Sequence, residues 1–238
     1  MIGLLDEEER KRRIATLGGL ALLCILLWQT WWGSLLLYPF TILATWFHET
    51  GHGLAAILTG GSFERLLIYP NGSGVALSLQ AADSSVLSAA LVSAAGPLGP
   101  PIAGALLIVA SRSRPATRAA LAVLAAVLVL STLIWVRSLV GWIVLPLITL
   151  ALLVVLQRGS AKAQDLAIQL LGVQACISTY QDVGYLFSDD GQIAGRVQRS
   201  DTAAIADSLL LPYWFWGGAI SLVIVALLAA SLRVALRR

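Results

Sequence analysis

Residues 41–61 have the sequence TILATWFHETGHGLAAILTGG, in which a polar motif interrupts a run of apolar residues. The motif is His48-Glu49-Thr50-Gly51-His52, and it contains both histidines of the chain. Histidines four residues apart lie on the same face of a helix, one turn from each other. Two imidazoles placed in this way can bind one zinc ion, and the glutamate beside the first can act as a general base on water. The stretch therefore predicts a metal-binding helix in an apolar environment.

The composition indicates a membrane protein. Hydrophobic residues make up 58% of the 238 residues, and charged residues only 12%. Soluble domains carry roughly 25% charged residues, and a chain of this length can form several spans of about 20 residues each. The formal net charge of +3 suits basic loops beside anionic lipid. It gives no reason to expect a nucleic-acid partner, so we expect the lipid bilayer to be the main surroundings of the chain.

Seven apolar segments follow one another along the chain, as expected for a bundle of transmembrane helices. They cover residues 14–37, 39–60, 85–110, 119–136, 139–157, 163–187 and 212–232. The sixth segment contains several glutamines, so it should face protein or a water-filled cavity rather than lipid. We predict an all-α polytopic membrane protein with about six to seven transmembrane helices and a small β-hairpin after the motif helix.

The whole chain, 1–238, is predicted to be a single integral membrane domain. Its parts in order are a charged N-terminal tail (1–13), the first span (14–37), the motif span (39–60), a hairpin loop (61–84), further spans that include a candidate third-ligand helix (85–187), a polar loop with a short helix (188–211), and the last span with a basic tail (212–238). Seven spans would divide the 16 Lys and Arg residues equally between the two sides. The positive-inside rule then gives no orientation, although the first helix favours an inside N-terminus.

Residues 61–84 are too polar to span a membrane, and they predict a β-hairpin. Between two possible strands, 63–69 and 75–80, lies the sequence PNGSG at 70–74, and Asn-Gly readily adopts positive φ. A structured loop without strands is the alternative. A hairpin would offer a sheet edge to an extended peptide. The candidate substrate-binding residues are Asn71, Gly72, Val75 and Leu77.

Two histidines do not complete a catalytic zinc site, because such sites usually have three protein ligands. The chain has no third histidine and its two cysteines are poorly placed, so a carboxylate is expected. Asp182 lies near the end of the sixth segment, in the same half of the bilayer as the motif if the span count holds. Asp201 lies in the following loop and could fold back over the metal, although helix capping would also explain it. Asp182 is the preferred third ligand and Asp201 the alternative.

Four segments carry a resemblance to a known family. They are FHETGHGLAA at 47–56 followed by TGG at 59–61, PNGSG at 70–74, AGPLGP at 95–100 and SDTA at 200–203. The chain resembles the site-2 protease family of intramembrane zinc metalloproteases, in particular its compact bacterial and plastid branch. The resemblance runs from about residue 40 to residue 216, and the first motif is its most specific part.

The resemblance implies a zinc-dependent intramembrane endopeptidase in which His48, His52 and a carboxylate hold Zn²⁺ and Glu49 is the catalytic base. The substrate would be a peptide bond in or near the transmembrane segment of another membrane protein, which must unwind locally to expose its amides. The expected location is the bacterial cytoplasmic membrane. The chain has Pro100 and Pro101 where better-studied members carry an asparagine. The alternative is therefore a zinc-binding scaffold or pseudoprotease that binds membrane clients without cutting them.

Overall fold

The computed structural model describes residues 6–181, 183–193 and 195–237. The elements in chain order are α1 (Glu7–Trp28), α2 (Trp31–Leu58), β1 (Ser62–Ile68), β2 (Gly74–Leu79), α3 (Val86–Ala110), α4 (Arg114–Ile134), α5 (Leu139–Arg158), α6 (Ala161–Gln181), α7 (Val183–Leu186), β3 (Asp190–Ile193), β4 (Arg196–Arg199), α8 (Asp201–Ser208) and α9 (Tyr213–Ala235). The structure confirms two predictions: the chain is mostly helical, with helices apolar enough to cross a membrane, and a small β-hairpin follows the motif helix.

Among the described residues, four helices are long and apolar enough to cross a membrane, namely α3, α4, α5 and α9. The helices α1 and α2 pass the same test only together, as a pair bent by 116°, and would bring the number to five. The glutamine-rich helix α6 does not pass it. The predicted count of six to seven spans is therefore not confirmed.

The break between the first two helices lies at Gln29–Thr30 and not between residues 37 and 39, where the predicted spans meet. The Thr30 hydroxyl accepts a hydrogen bond from Gly33 N at 3.1 Å and caps the start of α2, while Pro39 lies inside that helix. Helix α3 likewise continues through Pro97, Pro100 and Pro101. Proline is tolerated inside membrane helices because neighbouring groups satisfy the freed carbonyls. The Thr30 cap, and not a proline, therefore marks the start of α2.

The hairpin is antiparallel, with Leu66 opposite Ala76. Its turn has the predicted chemistry, since Gly72 has a φ of +87° and Asn71 Oδ1 accepts a hydrogen bond from Ser73 N at 3.1 Å. The outer edge of β1 is covered by the segment that joins α4 to α5, because Leu66 N donates to Trp135 O at 2.8 Å. This segment does not cover the outer edge of β2.

The largest apolar core joins this hairpin to the helices. Buried side chains from α2, β1, α4 and α5 pack together, and they include Ile42, Leu66, Leu128 and Leu145. The indole of Trp46 adds a polar tie, since its Nε1 donates to the Ser131 hydroxyl at 2.9 Å. The motif helix is thereby held on one side by α4 and α5, which leaves its other side for α3.

Basic side chains are concentrated at one end of the bundle. Arg13 Nη1 donates to Ser111 Oγ at 2.8 Å, and Arg112 Nη2 lies 3.4 Å from Arg237 O, so the start of α1, the α3–α4 junction and the end of α9 lie together. We call this the basic end, and the opposite end, with both β-hairpins and α8, the hairpin end. Among the described Lys and Arg residues, those at the hairpin end are Arg65, Arg137, Arg196 and Arg199.

The equal division of basic residues expected from seven spans is therefore wrong. It failed because it placed the N-terminal tail on the side of the hairpin, whereas the contact between Arg13 and Ser111 places that tail at the end of α3. Most of the described Lys and Arg residues therefore lie at the basic end, and such an asymmetry is what the positive-inside rule uses to orient a membrane protein.

Candidate metal centre

Three potential metal ligands converge below the hairpin. His48 and His52 lie one turn apart on α2, and Asp201 is the first residue of α8. Asp201 Oδ2 lies 3.1 Å from His48 Nε2, and Asp201 Oδ1 lies 3.3 Å from His52 Nε2. The two Nε2 atoms are 3.1 Å apart, and one ligand atom from each residue lies within 4.8 Å of the others. One ion could be held by all three side chains.

The ring of His52 is oriented by a backbone carbonyl. His52 Nδ1 lies 2.8 Å from Val92 O on α3. A carbonyl oxygen can only accept a hydrogen bond, so Nδ1 must carry the proton in this contact. Nε2 then keeps its lone pair and points at Asp201, which is the arrangement of metal-binding histidines whose second nitrogen is fixed by an acceptor. The histidine is thus prepared for a metal by a residue outside the motif.

The carboxylate of Asp201 is available because Ser200 caps the helix in its place. Ser200 Oγ accepts a hydrogen bond from Ala203 N at 3.1 Å and donates to Ser188 O at 2.6 Å. Asp201 Oδ2 is buried and accepts no hydrogen bond within the described residues, although His48 Nε2 is close. A buried carboxylate oxygen without a donor is costly unless a cation compensates it. This uncompensated oxygen fits a metal ligand, and two imidazoles with one carboxylate are a donor set that zinc accepts.

Gly96 lets the backbone of α3 lie directly against the two imidazoles. A Cβ at this position would collide with His52 Nε2 and would lie 2.8 Å from His48 Nε2. Both atoms belong to candidate metal ligands, and His52 is held by Val92 O, so a Cβ here could be accommodated only by displacing these ligands. A glycine is therefore required at position 96, because the metal ligands occupy the space that a side chain would need.

Replacing Gly96 with alanine should displace the imidazoles and lower zinc affinity by at least about tenfold, the lower end of what disturbing the surroundings of metal ligands costs. The measurement is zinc per chain in purified protein after dialysis against a competing chelator. Gly218→Ala is the matched control, because a Cβ there meets nothing within 4 Å. Equal zinc retention in the two variants would contradict this role of Gly96.

Glu49 lies beside the metal ligands and faces the hairpin. The residue is 7% exposed, and its Oε2 accepts a hydrogen bond from Ala76 N of β2 at 2.6 Å. A single backbone donor fixes one carboxylate oxygen. Glu49 and His48 also line the same cleft of about 210 Å³. A carboxylate fixed in a cleft with two potential metal-binding histidines can serve as a proton acceptor for water bound there.

The cleft lies between the two hairpins. Its walls come from α2, β2, α3 and α7 and from the second hairpin, and the lining residues outside the motif include Val75, Ala76, Val92, Tyr185, Ile193 and Gln198. The second hairpin, in which Asp190 pairs with Arg199, was not predicted, because the sequence from 188 to 200 lacks an apolar alternation. Its cleft-lining residues are therefore functional candidates that sequence reasoning missed.

Arg199 is the last residue of β4 and lies two positions before Asp201, the first residue of α8. Its guanidinium contacts Asp207 with two nitrogens, at 2.7 and 3.0 Å, and Asp189 at 2.7 Å. The hydrogen bond from Arg199 holds the pKa of the Asp207 carboxyl below its usual value. The ion pairs are partly exposed, so their main effect is geometric: they fix the backbone that presents Asp201.

The predicted site residues have different positions in the structure. His48, Glu49 and His52 lie together, and Asp201, the alternative third ligand, lies beside the two histidines. Asp182, the preferred third ligand, lies outside the described residues, so its role stays a prediction.

The predicted substrate-binding residues are also separated. Val75 lines the cleft of the metal ligands. Leu77 lines another cavity, beside Glu64 and Arg137. Asn71 and Gly72 form the turn, and Gly72 O accepts a hydrogen bond from Thr45 Oγ1 at 2.5 Å. The turn residues therefore fasten the hairpin to α2, and of the four Val75 has the position best suited to contact a substrate.

A family model described as Peptidase M50B-like matches residues 17–231. The chain belongs to the M50B-like peptidase family. The resemblance to site-2 proteases is thereby confirmed over nearly the whole chain. Among curated proteins, and among solved structures, none matches it. Membership of the M50B-like family supports an integral membrane metalloprotease at the level of the family, and M50 proteases use zinc. The cluster of His48, His52 and Asp201 is a possible site for that metal.

Proposed function

We propose that the protein is a zinc-dependent endopeptidase that hydrolyses a peptide bond in or near the transmembrane segment of another membrane protein. The observation that carries this proposal is the convergence of His48, His52 and Asp201 in one cleft with the carboxylate of Glu49. The membership of the M50B-like family supports it independently. The proposed location is the bacterial cytoplasmic membrane.

His48, His52 and Asp201 would hold the zinc ion, with Asp182 as the other candidate for the third position. When bound, zinc supplies Lewis-acid chemistry that favours deprotonation of water and polarises a carbonyl oxygen. The Val92 carbonyl keeps His52 in the tautomer that this requires. The carboxylate of Asp201 would also offset part of the positive charge of the ion, which two neutral imidazoles cannot do.

Glu49 would accept a proton from the attacking water as the water oxygen bonds to the peptide carbonyl carbon. The same carboxyl group would then give that proton to the amide nitrogen as the carbon–nitrogen bond breaks. General acid–base catalysis of this kind typically contributes about 10²–10⁴-fold to a rate. The products are a new carboxylate and a new amine, so the step needs no reactant besides water.

The outer edge of β2 is the proposed seat of the unwound substrate. The other edge of the hairpin, on β1, is already bonded to Trp135 and Arg137. Ala76 N of β2 points toward Glu49, so the backbone of this strand borders the proposed reaction centre. An extended peptide added to this edge would pass beside Glu49 with its amides exposed.

The alternative of a non-catalytic, client-binding scaffold receives less support. A zinc site that only stabilises the fold is usually closed by protein ligands and does not need a neighbouring base. Glu49 is instead fixed by Ala76 N at the wall of a cleft. This position serves a proton acceptor better than a purely structural group.

Metal removal tests the proposed function. The full chain, purified in a mild detergent, is incubated with a panel of tagged single-span membrane proteins, and the cut products are identified by mass spectrometry. We expect 1,10-phenanthroline to stop the cleavage and about one equivalent of zinc to restore it. Cleavage that persists in protein shown to be free of zinc would contradict the proposed mechanism.

A further inference from the structure

A second polar pocket lies at the basic end, away from the proposed active site. It has a volume of about 210 Å³. Its walls are the start of α1, the α3–α4 junction and the start of α6, and the lining residues that carry charge are Glu9, Arg12, Arg13, Arg112, Arg114, Lys162 and Asp165. Five cations and two anions leave this pocket with an excess of positive charge. The proposed hydrolysis uses none of these residues.

Three of the pocket cations make no direct polar contact within the described residues. Arg12, Arg114 and Lys162 are exposed, and none of their side chains makes an ion pair or hydrogen bond within the described part of the chain. Arg13 is different, since it is buried and donates to Ser111 Oγ at 2.8 Å. The buried arginine therefore shapes the floor of the pocket, while the three exposed cations are available to an anion.

Two helices also begin at this pocket. Ser113 caps α4 by accepting a hydrogen bond from Ala116 N at 3.3 Å, and Ser160 accepts one from Ala163 N at 3.2 Å at the start of α6. The N-terminus of a helix carries a partial positive charge and amides that favour phosphate-like anions. The fixed dipoles thus add to the side-chain charge at the same place.

The position of the pocket indicates where its anion comes from. Helices α3, α4 and α5 are apolar enough to cross the membrane, and the pocket lies where α3 ends, α4 begins and α5 leads into α6. The pocket therefore lies at the depth of the lipid headgroups. Basic pockets between membrane helices on the cytoplasmic side bind anionic headgroups, and the positive-inside rule assigns this end to that side.

We propose that this pocket binds the phosphate of an anionic phospholipid from the surrounding leaflet. Arg12, Arg114 and Lys162 would contact the phosphate, and the starts of α4 and α6 would face it. The lipid would join α1 to the α3–α4 and α5–α6 junctions at the basic end. This binding would not require the proteolytic activity, and it goes beyond the proposed function.

The test measures lipid binding to the full chain in a neutral detergent. Binding of dioleoyl phosphatidylglycerol is titrated by native mass spectrometry, with dioleoyl phosphatidylcholine as the uncharged comparison. We expect one saturable phosphatidylglycerol per chain and weaker phosphatidylcholine binding. Combining Arg12→Gln, Arg114→Gln and Lys162→Gln should weaken phosphatidylglycerol binding about fivefold for each cation removed.

The matched control removes the same charge outside the pocket. Lys11→Gln, Arg158→Gln and Arg233→Gln are exposed positions at the same end, and none lines the pocket. This variant should bind phosphatidylglycerol within about twofold of the unmodified chain. Equal losses in the two triple variants would overturn the pocket in favour of diffuse attraction. Displacement of the lipid by millimolar inorganic phosphate, without any contribution from the acyl chains, would overturn the lipid as its occupant.

Discussion

Replacing Glu49 with glutamine is expected to lower the cleavage rate by at least about 10²–10⁴-fold, the range that a general base contributes, while zinc binding is retained. Glutamine has nearly the same shape, and its carbonyl oxygen can still accept the hydrogen bond from Ala76 N. The side chain does not contribute to the metal cluster of His48, His52 and Asp201. The substitution therefore removes proton transfer and leaves the site in place. The measurement compares initial cleavage rates and zinc per chain in the same preparations.

Glu64→Gln is the matched control, since it removes one carboxylate from the exposed side of the hairpin. It should cleave at the rate of the unmodified chain. If Glu49→Gln also cleaved normally with zinc bound, Glu49 could not be the base, and the proposed mechanism would fail. If no variant cleaved any membrane protein, including the unmodified chain with one zinc bound, the scaffold alternative would be preferred.

The parts of the fold that follow from local chemistry could be predicted from the sequence. The Asn71-Gly72 turn requires positive φ and lies between two segments that can pair, so the first hairpin was predictable, and it is present. The helical character of residues 41–58 follows from the apolar run and the histidine spacing. In both cases residues within about 20 positions of one another determine the structure.

The start of α2 shows where local reasoning failed. The predicted spans 14–37 and 39–60 placed a boundary beside Pro39, yet Thr30 provides the cap and the proline remains inside the helix. The membrane and neighbouring helices compensate for the lost backbone donor, which a sequence-based rule derived from soluble helices does not include. Thr30, a residue type preferred at the N-cap, was the signal that could have located the true start.

The arrangement of the candidate site depends on contacts between residues far apart in the chain. Asp201 meets His48 only because Ser200 caps α8 and Arg199 ties the second hairpin to Asp189 and Asp207. In the chain, residues 48 and 201 are separated by the three apolar helices α3, α4 and α5 and by the glutamine-rich α6. Periodicity could identify the candidate carboxylates but could not decide which of them returns to the motif.

The second large effect is expected from replacing the third metal ligand, because this should abolish zinc binding. Replacing Asp201 with asparagine should lower zinc from about one per chain to near zero after dialysis against a chelator, because it removes the charged oxygen nearest both histidines. An amide oxygen is a much poorer zinc ligand than a carboxylate, and its NH₂ group would repel the ion. Loss of a ligand also removes binding energy that couples to folding, so the thermal unfolding midpoint should become insensitive to added zinc.

Asp182→Asn is the comparison that makes this result decisive, since it removes the other candidate carboxylate at the same cost in charge. We expect it to retain about one zinc per chain, because Asp201 already lies 3.1 and 3.3 Å from the two imidazole nitrogens. The opposite result, with zinc lost only in Asp182→Asn, would show that Asp201 is a hydrogen-bonding partner of the histidines. Loss in both variants would indicate that each carboxylate contributes to the ion. Zinc binding by the two histidines does not reveal which carboxylate is the third ligand. The loss of zinc on removing one carboxylate charge, Asp201 or Asp182, does.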